Sequence, residues 1–573
     1  MPSSNLCFVS SSSSKPPSSS KVKNPARAAY KTPAVRLPSL DRLQGINEDW
    51  GLELNDDEVE GLRGCMKHAV EAYQRVDELA NSRNSSTFAP LAQFPRIPGG
   101  SRPSPEENFC NAWYMETDIR GRTSKEDEKQ LLLEGKTVAI KDTIAVAGVP
   151  MMNGSRILEG YTPEFEATVV TRVLEAGGII KGKAVAEDLC CSASSFATAL
   201  APVRNPWNEE YAAGGSSSGC GALVGGDIVD LALGTDQGGS IRVPASWCGC
   251  VGLKPTFGLV PYTGIASHEF TLDHVGPMAR TVQDTALLLE ATAGLDPMGR
   301  DARQPPTLAS LSLPRYSVLA TGEVSGVRVG VLREGLENCE EDVKEATWAA
   351  AMGLRKAGAV VEEISIPMHR DSAALWLPLC LEGGHATRME GERGFKGFYP
   401  VSLTQAYFRG FRLQAAELSC TNKYYVLFGE YVRETYGNQY YQKCQNLLPA
   451  LRQAYDDVLV QQRVDVLLLP TLPIKPQRLP KAGMTPAEGI THAWAALQNT
   501  AAFDLTGHPA LSVNAGVSSP ASSSSGRAGK KGNGGLPIGV QVVGRRWEDA
   551  TVLNVGRAIE LGSGLKPLQS GGG

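Results

Sequence analysis

Residues 214–264 read GGSSSGCGALVGGDIVDLALGTDQGGSIRVPASWCGCVGLKPTFGLVPYTG and carry the strongest signal in this chain. The stretch is dense in glycine and serine, yet apolar residues run through all of it. Flexible Gly/Ser linkers lack such apolar content, so the composition does not favour a tether. Glycine has no side chain and lets the backbone approach a neighbouring group closely. The stretch is therefore predicted to lie packed in a core, where its backbone can reach a reacting atom.

Three side chains in and before this stretch suit acyl transfer. Ser216 and Ser240 each lie in a cluster of glycines, and Lys141 precedes them in the apolar segment VAIKDTI. A base such as lysine can activate a serine nucleophile. Burial favours the neutral amine over the ammonium ion, so a lysine on a buried strand can serve as that base. The alternative is structural, an ion pair between Lys141 and Asp142 or another acid.

The loop DQGGS, which ends at Ser240, fits a second requirement of acyl transfer. Glycines before a nucleophile allow several backbone N–H groups to converge on one oxygen atom, as an oxyanion hole requires. The alternative is a tight turn in which Ser240 caps a helix. Asp236 and Arg242 flank the loop, and we expect them to form an ion pair that holds it in place.

A competing serine motif is centred on Ser217. The sequence GSSSG fits the G-x-S-x-G pattern of a nucleophile elbow, in which a strand precedes the serine. Residues 205–214, NPWNEEYAAG, are poor strand formers, which counts against an elbow. No Gly-Lys-Ser/Thr follows the glycines, so the P-loop pattern also fails.

From about residue 136 onward, strand patterns alternate with helix patterns. Helices are predicted over residues 169–176, 343–354 and 549–561. Strands are predicted over residues 136–146, 179–183, 327–332, 360–366, 464–470 and 538–544. This alternation predicts an α/β fold with a mixed, largely parallel twisted sheet flanked by helices.

Domain organisation follows from shifts in composition along the chain. Residues 1–40 form a Ser-rich basic tail that suits either a disordered segment or an organellar transit peptide. Residues 41–130 are expected to be a helical N-terminal region and connector, with a helix over 55–80 that starts in a capping box of Asn55 and Glu58. Residues 131–565 are expected to form the catalytic domain, with a disordered surface loop inserted at 518–535.

Composition excludes several classes of function. The 573 residues carry a net charge of −5 without a basic face, so nucleic acid is not an expected partner. No apolar run reaches the length of a membrane span. Twelve cysteines without paired CxxC motifs, and seven histidines without HExxH spacing, argue against a metal site. Reduced cysteines of this kind are typical of a cytoplasmic protein.

The segments GGSSSG, GTDQGGSIRVPA and GLKPTFGLVPYTG follow one another in this order and at spacings that resemble those of the amidase signature family. The similarity extends back to VAIKD and forward to PIGVQVVGR, so it covers most of residues 130–561. The DQGGSIR variant and the helical N-terminal region are most similar to amidases associated with bacterial nitrile hydratases. The resemblance implies the amidase signature fold.

The resemblance also implies a role for each site residue. Ser240 would be the nucleophile that forms an acyl-enzyme. Ser216, after a cis peptide bond to Gly215, would relay protons between Ser240 and Lys141. Lys141 would be the base for attack and the source of the proton for departing ammonia. The oxyanion would be held by the backbone N–H groups of four residues, Gln237, Gly238, Gly239 and Ser240.

The expected reaction is hydrolysis of a small-molecule carboxylic amide to a carboxylic acid and ammonia, without cofactor or metal. Cys190 falls where members of the family line the substrate site. Two alternatives stay open: an amidotransferase A-type subunit that passes ammonia to a partner, and a scaffold protein without catalysis. The resemblance further suggests that the helix over residues 55–80 contributes to a homodimer, although the same pattern would suit packing within one chain.

Overall fold

The computed structural model of the protein describes residues 34–82, 92–124, 131–391, 397–481, 483–518 and 535–565. Residues 1–33 of the predicted tail and residues 519–534 of the predicted surface loop lie outside these ranges. Contacts between Cα atoms divide the described chain into two units, which separate at residues 91 and 92.

The first unit contains two helices, α1 (Leu40–Trp50) and α2 (Asp56–Ser82). The predicted capping box is confirmed, because the Glu58 N–H donates to Asn55 Oδ1 at 3.0 Å and the Asn55 N–H donates to Glu58 Oε2 at 2.9 Å. The apolar stripe of α2 was expected to be a packing face. Val59 is buried, whereas Tyr73 and Val76 are 62% and 63% exposed, so most of the stripe is not covered by the described residues.

The second unit is built on an eleven-stranded mixed sheet, with a separate two-stranded hairpin of β4 and β5. The strand order in the sheet is β1-β3-β2-β6-β8-β7-β12-β13-β11-β9-β10. The strands are β1 (Trp113–Arg120), β2 (Thr137–Lys141), β3 (Ile179–Ala184), β4 (Arg204–Asn205), β5 (Asn208–Ala212), β6 (Leu231–Asp236), β7 (Val251–Lys254), β8 (His274–Ala279), β9 (Arg328–Leu332), β10 (Val360–Ile364), β11 (Val466–Pro470), β12 (Ala510–Val517) and β13 (Pro537–Gly544).

Helices flank this sheet, as the alternating pattern predicted. They are α3 (Thr168–Glu175), α4 (Ser218–Gly225), α5 (Arg242–Cys248), α6 (Val282–Thr292), α7 (Tyr316–Leu319), α8 (Glu341–Lys356), α9 (Ser372–Pro378), α10 (Val401–Gln414), α11 (Cys420–Tyr436), α12 (Gln439–Asp456), α13 (Pro486–Trp494), α14 (Ala501–Thr506) and α15 (Asp549–Ser563).

The sheet is mixed, as predicted, but its parallel pairs lie towards the two flanks. Strand β2 pairs in parallel with β3 and β6, and β9 pairs in parallel with β10 and β11. The central strands β6, β8, β7, β12 and β13 pair antiparallel. The connections β2–α3–β3 and β9–α8–β10 contain the helical crossover that a parallel pair requires. The expectation of largely parallel pairing therefore applies only to the flanks.

Two boundaries differ from the sequence predictions. Strand β1 pairs with β3 at the edge of the sheet, so the sheet begins before residue 131. We therefore propose that the sheet-bearing domain starts near Ala92. Residues 208–212, judged poor in strand formers, form β5 of the small hairpin with β4. This strand lies outside the main sheet, and of its five residues the last, Ala212, is buried.

Glycine allows helix α4 to pack deep in the core, as predicted for residues 214–264. All residues of α4 are buried. A Cβ atom added at Gly219 would lie 2.4 Å from the carbonyl oxygen of Ala112 and 2.5 Å from the backbone nitrogen of Val185. Backbone atoms cannot move aside as a flexible side chain can, so only glycine fits this position.

We expect Gly219→Ala to lower the melting temperature measured by differential scanning calorimetry, with a loss of about 1–3 kcal/mol in the free energy of unfolding from overpacking. The matched control is Gly353→Ala in helix α8, where an added Cβ meets nothing within 4 Å. That control should be neutral or stabilising by up to about 1 kcal/mol, because alanine favours a helix over glycine. Equal melting temperatures for the two variants would contradict the close approach.

Candidate active site

Neighbouring strands and the loops that follow them bring the predicted site residues together. Lys141 is the last residue of β2, and Asp236 is the last residue of β6, its parallel neighbour. Ser240 lies in the turn between β6 and α5, and Ser216 precedes α4. The carboxyl ends of parallel strands meet at one edge of a sheet, where ligands of α/β proteins bind. Lys141 and Ser216 are fully buried, and Ser240 is 9% exposed.

The amine of Lys141 is surrounded by oxygen atoms that carry no charge. Lys141 Nζ lies 2.8 Å from Ser216 Oγ, 2.8 Å from Thr235 Oγ1 and 3.2 Å from the Thr235 carbonyl oxygen. The alternative of an ion pair with Asp142 is wrong, because Asp142 Oδ1 lies 3.5 Å from Lys183 Nζ instead. Within the described ranges, Lys141 has no carboxylate partner. Sequence reasoning missed Thr235, although it stands in the GTDQGGS segment.

Backbone contacts join the two serine loops. The Gly215–Ser216 peptide bond is cis, as the resemblance implied. The Ser217 N–H donates to the Ser240 carbonyl oxygen at 3.2 Å. Ser217 Oγ donates to the Thr235 carbonyl oxygen at 3.2 Å, without a histidine or carboxylate partner among the described residues, so the elbow motif lacks its base. The Ser240 hydroxyl has no hydrogen-bond partner in the part of the chain that the structure describes, and it faces a pocket.

Hydrogen bonds to the carbonyl groups orient the loop before Ser240. Trp376 Nε1 donates to the Gln237 carbonyl oxygen at 2.7 Å, and Thr500 Oγ1 donates to the Gly238 carbonyl oxygen at 2.5 Å. Because the C=O and the following N–H share one planar peptide unit, these bonds also set the directions of the N–H groups of Gly238 and Gly239. The glycines are required for close packing as well, since a Cβ at Gly238 would lie 2.8 Å from the Trp376 ring.

The backbone donors of the loop differ from the predicted set at one position. The Gly239 N–H donates to Asp236 Oδ1 at 2.5 Å, so it is not available in this geometry for a substrate oxygen. The N–H groups of Gln237, Gly238 and Ser240 have no acceptor among the described residues. Three of the four predicted oxyanion donors thus stay open, while Gly239 anchors the loop to Asp236.

The predicted pair of Asp236 and Arg242 is present and belongs to a larger buried network. Arg242 Nη2 lies 2.9 Å from Asp236 Oδ1 and 2.6 Å from Asp504 Oδ2. Arg242 Nη1 donates to the carbonyl oxygen of Thr500 and to Gln541 Oε1. Burial alone would raise the pKa of Asp236, but the adjacent guanidinium holds that pKa well below its usual range. The network fixes both ends of the Ser240 turn.

The pocket in front of Ser240 is narrow and lined by aromatic and sulfur-bearing side chains. The room left in it for water amounts to about 20 Å³. Cys190 is in its wall, as the resemblance implied. Further lining residues are His268, Trp376, Cys380, Tyr425 and Trp494. Burial, with a smaller contribution from the positive charge of Arg388, lowers the pKa of His268 well below its ordinary value, so its ring is neutral.

Sequence reasoning did not find these aromatic walls. Trp376 ends up in helix α9, Tyr425 in α11 and Trp494 in α13, far apart in the chain. An aromatic residue in a helix is most often part of a packing face, so no local signal marks these positions.

No metal or membrane-spanning element is found in the described ranges. There, no group of three or more His, Cys, Asp or Glu side chains is placed to hold a metal ion. None of the described helices combines the length and the apolar character needed to cross a bilayer.

The sequence of this chain is similar to those of known proteins. The sequence profile of the Amidase family matches residues 110–553. An enantioselective amidase from Rhodococcus rhodochrous is 39% identical over 539 residues, which are 93% of this chain and 97% of that protein. The A-type subunit of the glutamyl-tRNA(Gln) amidotransferase from Halobacterium salinarum is 33% identical over 458 residues, which are 78% of this chain and 99% of that protein.

A solved structure agrees with the sequence matches. The A-type subunit of the glutamyl-tRNA(Gln) amidotransferase from Thermotoga maritima superposes with a TM-score of 0.58 at 31% identity, covering 74% of this chain and 83% of that chain. The family profile and the relatives span the strands and loops that carry Lys141, Ser216 and Ser240. This chain therefore belongs to the Amidase family.

Proposed function

We propose that this protein hydrolyses a carboxylic amide to a carboxylic acid and ammonia through an acyl-enzyme on Ser240. The observation that carries the proposal is the buried contact of 2.8 Å between Lys141 Nζ and Ser216 Oγ, beside a Ser240 hydroxyl that faces the pocket. The similarity to an enantioselective amidase over nearly the whole chain supports the reaction class.

In the proposed mechanism, Ser240 Oγ attacks the amide carbonyl carbon and its proton passes through Ser216 Oγ to Lys141 Nζ. Charge develops on the carbonyl oxygen, where the N–H groups of Gln237, Gly238 and Ser240 can stabilise it. Collapse of the tetrahedral intermediate breaks the C–N bond, and the proton returns from Lys141 to the leaving nitrogen. Water then attacks the acyl-enzyme by the same proton route and releases the acid.

The contacts of Lys141 allow it to exchange a proton with Ser216. Its Nζ atom lies within hydrogen-bond distance of three oxygen atoms, of which two belong to hydroxyl groups. In the proposed mechanism, Lys141 Nζ accepts the proton of the Ser216 hydroxyl while the two Thr235 oxygen atoms hold the side chain in place. No carboxylate forms an ion pair with Lys141 in the described part of the chain.

The hydroxyl of Ser240 must approach Ser216 for this route, although the two side chains are not hydrogen-bonded here. Catalytic hydrogen bonds are often long in proteins without substrate and shorten when substrate binds. The backbone bond from Ser217 to Ser240 already holds the two loops side by side.

Covalent labelling tests the assignment of the nucleophile. Phenylmethanesulfonyl fluoride should add one sulfonyl group per chain, and peptide mass spectrometry should locate it on Ser240. A carboxylic amide present in excess should slow the labelling. A label on Ser217, or no label at all, would contradict the proposal and would favour the elbow motif or the scaffold alternative.

An amidotransferase component is the less favoured function. The amidase relative aligns with 93% of this chain, whereas the Halobacterium relative aligns with 78%. An amidase should release ammonia from simple amides as a purified single chain. Release that requires glutamine together with further protein components would favour the amidotransferase instead.

Two further predictions concern the cellular setting. A cytoplasmic location, or organellar targeting by residues 1–40, is tested by fusing those residues to a fluorescent protein.

The homodimer is tested by analytical ultracentrifugation of the full chain, where a mass of 61.0 kDa would indicate a monomer.

A further inference from the structure

A second cavity of about 340 Å³ lies in the sheet-bearing unit and shares no lining residue with the pocket of Ser240. Its wall includes Arg452 of helix α12 and Arg546, which follows strand β13. Phe257, Phe270 and Trp547 supply aromatic surface. A cavity of this volume falls in the range of small-molecule sites.

Arg452 and Arg546 are the arginines of this cavity without an ion pair in the described ranges. Arg452 Nε donates to the Thr506 carbonyl oxygen at 3.1 Å, and neither arginine is within ion-pair distance of a carboxylate in the described ranges. Arg546 has no hydrogen-bond partner there either. Both guanidinium groups line the same cavity. Burial, followed by the charge of Arg546, lowers the pKa of Arg452, and the carboxylate of Asp456 raises it.

The nearby acids make their hydrogen bonds and ion pairs with other residues. Asp504, which also lines the cavity, lies 2.6 Å from Arg242. Asp456 Oδ1 lies 3.1 Å from His508 Nε2. The third arginine of the wall, Arg303, is bound to Asp301 through both ends of its guanidinium group. The cavity therefore has two arginines in its wall without an ion pair in the described ranges, and the charge of Asp456 offsets them only in part.

Part of the wall is apolar. Phe257, Phe270 and Leu448 line it, together with Trp547, which is 40% exposed. Trp547 has a φ of 72°, a left-handed conformation that is rare for a bulky residue, and its N–H donates to Thr256 Oγ1 at 2.9 Å. Strained residues of this kind tend to cluster at ligand sites.

We propose that this cavity binds an organic anion with a planar apolar body, of the aryl or arylalkyl carboxylate class. The carboxylate would lie between Arg452 and Arg546, because guanidinium groups bind carboxylates in a bidentate geometry. The ring would lie against Phe257, Phe270 and Trp547. A bare inorganic anion would leave this aromatic surface without a partner.

Isothermal titration calorimetry of the full chain with phenylacetate tests this site. We expect saturable binding to the wild type, and Kd values at least tenfold higher for Arg452→Gln and for Arg546→Gln. The matched control is Arg463→Gln, an exposed arginine outside the cavity, which should leave Kd unchanged. Melting temperatures of the variants check that they are folded.

Two further ligands separate the parts of the proposal. The uncharged analogue 2-phenylethanol should bind at least tenfold more weakly than phenylacetate, and so should sulfate. Wild-type protein that does not bind phenylacetate, or arginine variants that bind it as well as the wild type, would overturn the site. Sulfate or 2-phenylethanol binding as tightly as phenylacetate would overturn the ligand class.

Discussion

Ser240→Ala is expected to abolish amide hydrolysis, with kcat reduced by at least about 10⁴-fold, as for other acyl-enzyme nucleophiles. The substitution removes only the oxygen atom that faces the pocket. The backbone N–H groups of the turn and the Asp236–Arg242 pair stay in place, so substrate can still bind. Ammonia release from a panel of simple amides measures the loss, and an unchanged melting temperature shows that the variant is folded.

The matched control is Ser217→Ala, which removes the serine of the competing motif in the same segment. Among the described residues, Ser217 Oγ forms a hydrogen bond to the Thr235 carbonyl oxygen and to no other group. We therefore expect this variant to keep at least about a tenth of the wild-type kcat. Residual turnover of more than a few per cent in Ser240→Ala would remove Ser240 as the nucleophile. Loss of turnover in Ser217→Ala alone would transfer that role to Ser217.

Lys141→Met is expected to lower kcat by about 10²–10⁴-fold, the usual contribution of a general base and acid. Methionine has a similar length and is apolar, so it fills the buried site while it removes the amine. The Ser216 and Thr235 hydroxyl groups then lose their shared partner. The pH profile of the remaining activity should also change, which a purely structural role of Lys141 would not explain.

Lys183→Met is the contrasting control, because Lys183 is the neighbouring buried lysine with a carboxylate partner. Removing it leaves Asp142 buried without its counter-charge, which costs about 3–5 kcal/mol in other proteins. We therefore expect Lys183→Met to lower the melting temperature much more than Lys141→Met does. The reverse ranking would mean that Lys141 serves stability and that the proposed proton route is wrong.

The glycine and serine motifs could be recognised in the sequence because they depend on local backbone geometry. Gly238 allows the loop DQGGS to lie against the Trp376 ring, and Gly219 allows α4 to pack where an added Cβ would lie 2.4 Å from the Ala112 carbonyl oxygen. Both close approaches require glycine, so the positions can be recognised in the sequence. The capping box of Asn55 and Glu58 is readable for the same reason.

The ion pairs of charged residues could not be predicted from local sequence patterns. The sequence placed Asp142 directly beside Lys141 and suggested a pair, but Lys141 ends β2 and Asp142 lies in the turn that follows. Asp142 therefore meets Lys183 of the next strand, and Lys141 meets Ser216 and Thr235. Which charged groups face each other depends on the sheet.

From its residue pattern alone, this chain could be assigned an α/β fold, a place in the Amidase family, and Lys141, Ser216 and Ser240 as candidate site residues. The tertiary structure was needed to identify the residues that line the pocket of Ser240. It was also needed to show that the Gly239 N–H binds Asp236 and that the central strands of the sheet pair antiparallel. Residues such as Trp376, Thr500 and Asp504 meet the loop from more than a hundred positions away. Contacts at that separation depend on how helices pack over the sheet, and no local pattern encodes them.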